Sequence, residues 1–331
     1  WSNYYLKKIN IIEKKISQIF KCLVIGDGTI GMQNQSVALA ESCGLQFTFI
    51  ELKPKILPRI FPYLLAGRLN LTLSDKDNLI LNLKPDIVFT CGRRMASLSI
   101  GLKRLFAKNK KKIITVHIQN PKLNPKLFDF LVVPEHDNLV GENVITTLGS
   151  LNQISKTSVD ISFNNFNEKL KATCKNHIAV LVGGHTKNQK LNFQSSKSFI
   201  DELDRIGKLL ELSVVITCSR RTPKNLFNQL KVFKVLETEK NFNPYPGILK
   251  NAKLIIVTSD SVNMISEALS FGCPVILFDL LKPKGRKRKF VENLIKNKYL
   301  TYSTNILSKN QLNKMGYKPL NEASRVGQIL Q

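Results

Sequence analysis

The stretch Leu254 to Asp279 limits what this chain can become more than any other. An apolar run, LIIVT, stops at Ser259-Asp260-Ser261. A segment with helical spacing, Val262 to Phe271, follows, and Gly272-Cys273-Pro274 ends it before a second apolar run, Pro274 to Phe278. This is strand, loop, helix, strand, the unit of a parallel sheet. Small and acidic residues at the strand end can cap the helix by accepting its free N–H groups. The same helix start is an anion site, through free amides and the dipole. Glu267 lies two turns into the helix, where a carboxylate beside a phosphate-binding helix start can take ribose hydroxyls. Spacing alone equally allows Glu267 to be a solvated helix residue and Asp260 only a cap.

The pattern recurs along the chain. Lys21 to Ile25 reads as a strand that ends at Gly26-Asp27-Gly28-Thr29-Ile30-Gly31. A helix from Asn34 to Cys43, closed by Gly44, and a strand from Leu45 to Ile50 come next. Strands are expected at Asp86 to Thr90, Lys112 to Ile118 and Phe130 to Val133, with a helix from Met95 to Phe106. A helix at Asn10 to Phe20 precedes them all. The second half gives strands at His177 to Val182, Ser213 to Cys218, Lys231 to Leu236, Leu254 to Thr258 and Pro274 to Phe278, with a further helix at Phe199 to Leu210. At 331 residues the chain is too long for one ordinary core. The fold class is α/β, with two Rossmann-like doubly wound domains facing a cleft. Domain boundaries fall at 1–150 and 177–331, joined by the Ser- and Asn-rich connection 151–176.

Composition excludes several classes. Hydrophobic residues are 43% and charged residues 22%, as in a globular protein. No apolar run reaches the ~18 residues that cross a bilayer. Lys7, Lys8, Lys14 and Lys15 break up the first residues, which therefore lack a signal peptide's core. The chain starts at Trp1, not Met, so its true N-terminus is expected to be missing. A cytoplasmic protein, peripheral to the inner face of a membrane, is the expectation. The six cysteines form no C-x-x-C pair, and neither a disulfide framework nor a metal site is expected. The net charge of +26 is spread by many lysines, with local peaks at Lys103 to Lys112 and Lys282 to Lys289. Neither peak has aromatic–basic interleaving of an RNA-binding kind, so an anionic membrane surface fits better than nucleic acid.

Other candidate sites stand at strand ends. Gly183-Gly184-His185 follows a strand, and glycines there permit a tight turn or a close approach to a ligand. Gly26 to Gly31 matches G-x-G-x-x-G, with Glu51 as the acidic residue of the next strand, so a dinucleotide site stays open. Asp27 argues against it by placing a negative charge beside the pyrophosphate. Gln33, Asn34 and Gln35 make that loop amide-rich, as if for sugar hydroxyls. Arg93-Arg94 and Arg220-Arg221 can hold phosphate or carboxylate, or make structural ion pairs. Glu135-His136-Asp137 holds the best candidate general base.

Longer blocks carry a resemblance. GDGTIGMQNQSVALAESCG, CGRRMASLS, VHIQNPK and FDFLVVPEHDNLVGENVITTLGSLNQIS come first, in that order. VLVGGHTK, ITCSRRTP, NPYPGIL and IIVTSDSVNMISEALSFGCPV follow. Together they resemble the mitochondrial fission (elongated mitochondria) family, from about Lys21 onward. More broadly the chain is similar to GT-B glycosyltransferases, above all the peptidoglycan enzyme that adds N-acetylglucosamine to a lipid carrier. That resemblance implies a metal-independent transferase using a UDP-type nucleotide sugar, an envelope or lipid-linked acceptor and no bound cofactor. It matches Gly183, Gly184, Ser259, Ser261 and Glu267 to the nucleotide-sugar side, where their neighbours His185, Arg220, Arg221 and Asp260 are expected to join them. Gly28, Gly31, Gln33, Asn34, Gln35, Arg93, Arg94 and Gln119 fall on the acceptor side, with His136 or Asp27 to deprotonate the acceptor. His185 departs from the related enzyme, which has Ser there. The family also implies an alternative, a non-enzymatic adaptor that recruits a fission partner to a membrane. Some relatives are labelled nucleoside-diphosphate-sugar epimerases. An epimerase holding NAD needs a Tyr-x-x-x-Lys pair, and no such pair lies in a fitting helix here, so that label and an NAD-dependent reductase rank last.

Overall fold

The computed structural model describes residues 20–52, 66–69, 80, 82–186, 189–191, 193–239, 242–305, 308, 310–311 and 319–331. The helix expected at Asn10 to Phe20 falls outside them, save for Phe20. The chain divides into two compact units, Trp1–Gln153 with Glu322–Gln331, and Ile154–Asn321.

The first unit runs β1 (Cys22–Gly26), α1 (Ile30–Ser42), β2 (Phe47–Glu51), β3 (Ile87–Cys91), α2 (Arg93–Lys108), β4 (Ile114–Ile118), β5 (Phe130–Pro134) and β6 (Val144–Thr147). Its sheet is ordered β2-β1-β3-β4-β5-β6, and every pairing is parallel. Alternate residues of each strand serve opposite faces. Val24, Phe89, Val116 and Val132 pack on one side with Ala38 and Leu39 of α1. Leu23, Ile25 and Val88 pack on the other with Met95, Leu98 and Leu102 of α2. Burial on both faces explains why these strands read as unbroken apolar runs. Helix α1 starts at Ile30, a full turn before the expected Asn34. The loop ahead of it is short because Gly28 takes φ +82° and Asp27 Oδ1 accepts the Thr29 N–H at 3.0 Å. Gly44 ends the helix region with φ +69°.

The second unit runs α3 (Lys156–Asn164), α4 (Glu168–Thr173), β7 (His177–Val182), α5 (Phe193–Leu210), β8 (Ser213–Cys218), α6 (Lys224–Leu230), β9 (Lys234–Leu236), β10 (Ala252–Thr258), α7 (Val262–Leu269), β11 (Val275–Phe278), α8 (Arg286–Lys296) and β12 (Thr301–Tyr302). Its parallel sheet is ordered β12-β11-β10-β7-β8-β9. Ile178, Val180, Ile216, Leu254 and Ile256 pack on Phe199, Leu203 and Ile206 of α5.

Three differences from the sequence reading have physical causes. The polar stretch 151–176 holds two helices. Its Ser and Asn residues are their caps: Ser155 and Ser158 form a reciprocal capping box, and Asn167 accepts from the Leu170 N–H. The basic segment near residue 285 opens helix α8. The last helix, α9 (Glu322–Leu330), belongs with the first unit and not with 177–331. Its buried Glu322 accepts the Leu148 N–H at 2.9 Å, Arg325 donates to Glu322 and to the Thr146 carbonyl, and Ala323 and Val326 join the α1 core.

Candidate functional site

In an open parallel sheet, ligands bind beyond the carboxyl ends of the strands, where the strand order reverses. In the second unit that point lies between β7 and β10. Gly183-Gly184 leave β7 and Ser259-Asp260-Ser261 leave β10. The adjoining β8 supplies Ser219 to Thr222, and β11 leads through a loop into α8.

Asp260 organises this edge. Its side chain is fully buried, and Oδ1 accepts from Thr258 Oγ1 at 2.6 Å. Oδ2 accepts the Gly184 N–H at 3.0 Å and Arg221 Nη2 at 2.8 Å. The Gly183 N–H donates to Thr258 Oγ1 at 2.8 Å. The two glycines are therefore needed for close packing: a Cβ on Gly183 would overlap the Asp260 carboxylate, and one on Gly184 the Arg221 carbonyl. Both amides are taken up inside the chain. Ser259 is also turned inward, its Oγ donating to the Leu281 carbonyl at 2.9 Å.

What faces outward is cationic. Arg221 keeps 42% of its side chain exposed and also donates through Nη1 to the His185 carbonyl at 3.2 Å. Half-buried Lys287, from the first turn of α8, donates to the Asp260 carbonyl at 2.6 Å. Desolvation and the neighbouring Arg221 lower its pKa, while Asp260 opposes them. Arg286, Lys287, Arg288 and Lys289 occupy the first turn of α8, where the helix dipole is also positive and no acidic residue stands; Arg288 pairs with Glu292 one turn on, at 2.7 Å. The basic cluster at Lys282 to Lys289 thus reaches the switch point, which composition could not show. Arg220 is exposed. His185 Nδ1 accepts the Leu191 N–H at 3.1 Å, so a neutral imidazole carries its proton on Nε2.

Farther along α7, whose cap Ser261 accepts the Met264 N–H at 3.4 Å, Glu267 Oε2 accepts the phenol of Tyr245 at 2.6 Å. Burial pushes both groups' pKa up, the phenol well above its ordinary value; the phenol's hydrogen bond partly offsets the rise at Glu267. Tyr245 was missed as a site residue. Its signal was present in the block NPYPGIL, where two prolines pin one aromatic side chain.

The first unit has its own switch point, between β1 and β3. Asp27 sits there with its side chain 2% exposed, 3.6 Å from Arg94. Gln33 Nε2 donates to Glu51 Oε2 at 2.9 Å, and Gly28 lies against Glu51. Gly92 packs against Met32 and near Gln119, which holds φ +71° at the end of β4. So Asp27, Gly28, Gln33, Arg94 and Gln119 share one edge. Gln35 turns back to donate to the Gly31 carbonyl at 3.0 Å, while Asn34 and Arg93 are exposed. His136 lies on the turn after β5, three strands from β1, or roughly 14 Å along the edge. Lys103, Arg104 and Lys111 of the other basic cluster are tied to Asp129, the Ala66 carbonyl and Asp86.

Among the described residues no helix is long and apolar enough to cross a membrane, and no group of three or more His, Cys, Asp or Glu is placed to hold a metal ion. The family model for mitochondrial fission ELM1 matches residues 30–331. An uncharacterised protein of Rickettsia prowazekii is 28% identical, with 93% of this chain and 96% of that one covered. The mitochondrial fission protein ELM1 of Arabidopsis thaliana is 26% identical over 72% of this chain, which spans 62% of that protein's length. The UDP-GlcNAc 2-epimerase from Neisseria meningitidis, solved bound to UDP-GlcNAc, matches with TM-score 0.53, 13% identity and coverage of 93% and 97%. MurG of Acinetobacter baumannii matches with TM-score 0.53, 12% identity and coverage of 94% and 99%. At such identities the likeness is one of fold, and the fold is GT-B-like.

Proposed function

This chain belongs to the mitochondrial fission ELM1 family, and we propose that it binds a nucleoside-diphosphate sugar at the switch point of its second unit and transfers the sugar to a hydroxyl acceptor. The observation that carries the reading is the convergence of Arg221 and Lys287 on Asp260. Exposed Arg221 pairs with the buried Asp260 carboxylate and half-buried Lys287 with the main-chain carbonyl of the same residue, so two cations meet at one acid. The surplus positive charge suits a diphosphate, and Arg221 is held in place before any ligand arrives. The fold's neighbour bound to UDP-GlcNAc supports the ligand class.

In the transfer, an acceptor oxygen attacks the anomeric carbon. The bond from that carbon to the phosphate oxygen breaks, and its electron pair leaves with the nucleoside diphosphate. Arg221, Lys287 and the first amides of α7 meet the charge that develops. The acceptor's proton goes to a base. UDP-type nucleotides are expected to raise the thermal midpoint, and Glu267→Ala to reduce the shift. A nucleotide panel without any shift overturns the reading.

A second reading, a membrane-recruited adaptor, draws on one observation: Asp260 fills the hollow of the glycine loop that a nucleotide would otherwise use. The exposed cations of α8 would then face an anionic surface. An epimerase reading also persists, since a 2-epimerase shares this fold. Incubation with UDP-GlcNAc separates the three: a new glycoside supports transfer, an epimerised nucleotide sugar the second enzyme class, and unchanged substrate the adaptor.

A further inference from the structure

We infer that Tyr245 is a positioning residue for ribonucleotide recognition, its phenol fixing Glu267 so that the other carboxylate oxygen takes a ribose hydroxyl. The inference deepens the nucleotide-sugar reading and rests on it. The phenol comes from a loop with little freedom. Pro244 and Pro246 flank it, and the Tyr245 N–H donates to Asn243 Oδ1 at 3.1 Å. The Gly247 N–H donates to Ser162 Oγ at 3.0 Å, and Ser162 Oγ donates to the Asn243 carbonyl at 3.1 Å. The ring of Phe166 leaves no room for a side chain at Gly247. Helix α3 therefore staples the loop at both ends of the Pro-Tyr-Pro turn.

The Tyr245 hydroxyl spends its proton on Glu267 Oε2. Among the described residues Glu267 Oε1 has no partner. Glu267 is half-buried, and Oε1 is not sealed from the surface, so a ligand hydroxyl can reach it. A ligand hydroxyl on Oε1 completes the group, and the fixed Oε2 sets the direction in which Oε1 points. Removing the phenol has two effects. The carboxylate is free to rotate, and it loses the bond that counters its desolvation, so it holds a proton more readily.

The test is calorimetry of the full chain with UDP and with 2′,3′-dideoxy-UDP. Wild type is expected to favour UDP by about tenfold or more, since a site built for a hydroxyl rejects the analogue without it. Tyr245→Phe is expected to cut the preference to about threefold or less by weakening UDP alone. Glu267→Ala abolishes the preference, and adding Tyr245→Phe to it changes nothing further. Equal weakening of both nucleotides by Tyr245→Phe, or an effect that persists in Glu267→Ala, marks Tyr245 as merely structural and overturns the inference. Should Tyr245→Phe fail to fold, Ser162→Ala loosens the same loop and is expected to lower the preference; an unchanged preference overturns it. Wild type that binds UDP without regard to the diol sinks this inference and leaves the diphosphate site standing. Wild type that binds no UDP sinks both.

Discussion

The two switch points are built from similar parts and hold them differently. Each joins glycines at one strand end to an aspartate and an arginine. In the second unit, Asp260 is fastened by Thr258, the Gly184 amide and Arg221, and its carbonyl by Lys287. In the first unit, Asp27 has the Thr29 amide and an arginine 3.6 Å away. Glycine plays a different part in each. Gly183 and Gly184 are required because other groups of the chain press against them, Gly28 because its φ is positive. The second edge is thus rigid and cationic before any ligand binds, which is what a diphosphate site needs. The first is looser and lined by amides and carboxylates, which suits hydroxyl groups.

The largest expected effect that separates them is steric. Gly184→Ala drives a Cβ into the backbone of Arg221 and is expected to cost about 3 kcal/mol or more. Gly28→Ala meets only an ordinary contact with Glu51 and a strained φ, at about 1 kcal/mol. Urea unfolding of both variants checks the order, and equal losses break the comparison.

Next comes charge. Asp260→Asn is expected to cost about 2 kcal/mol, since the buried bonds to Gly184 and Arg221 lose their anionic acceptor. Asp27→Asn is expected to cost under about 1 kcal/mol, because Arg94 is 41% exposed and its pair with Asp27 is long.

Acid sharpens the contrast further. His117 of the first unit is buried, paired with Thr90 Oγ1 at 2.8 Å, and burial pulls its pKa from 6.5 to about 3. The unfolded chain binds that proton more readily, so the stability His117 contributes is present above pH 6.5 and is lost as pH falls toward 3. Asp86 and Asp129, held low by hydrogen bonds and lysines against a desolvation that opposes them, act in the same sense below their ordinary range. Glu267 and Asp279 of the second unit are raised, chiefly by desolvation. There the folded form binds the proton better, so stability falls as pH rises from the ordinary carboxylate value through the raised one. His177, lowered by burial, opposes them. Melting curves from pH 7 to pH 4 are expected to show the first unit losing more stability, with Glu267→Gln flattening the second unit's response. Parallel losses in both units contradict this.

The smallest effect concerns surfaces. Arg286→Glu with Lys289→Glu is expected to weaken binding to anionic vesicles several-fold, since both cations are exposed at the start of α8. Lys108→Glu with Lys110→Glu tests the other basic cluster. A greater loss there reverses the assignment of the membrane-facing patch to α8.

Much of this was legible in the sequence. Buried strands such as His177–Val182 and Ser213–Cys218 stand out because both faces are apolar. The short edge strand Val144–Thr147, with a single buried side chain, offers no such run. Helix α9 looked like part of the second half because its anchors, Leu148 and Thr146, are remote in sequence. At the candidate site, position at strand ends and along the following helix marks Asp260, Arg221 and Glu267 in the sequence. Their partners carry no such mark: Lys287 is hidden in a charge run, and Tyr245 in a loop whose direction only tertiary contacts decide. Nor could spacing show that the amides of Gly183 and Gly184 are spent inside the chain.

The central claim is that the second switch point, not the first, holds the diphosphate. Titration of UDP into wild type, Lys287→Ala and Arg94→Ala measured by calorimetry tests it most directly. Wild type is expected to bind, Lys287→Ala to lose about tenfold or more in affinity, and Arg94→Ala to match wild type. Loss in Arg94→Ala with Lys287→Ala unchanged, or no binding by wild type, would contradict it.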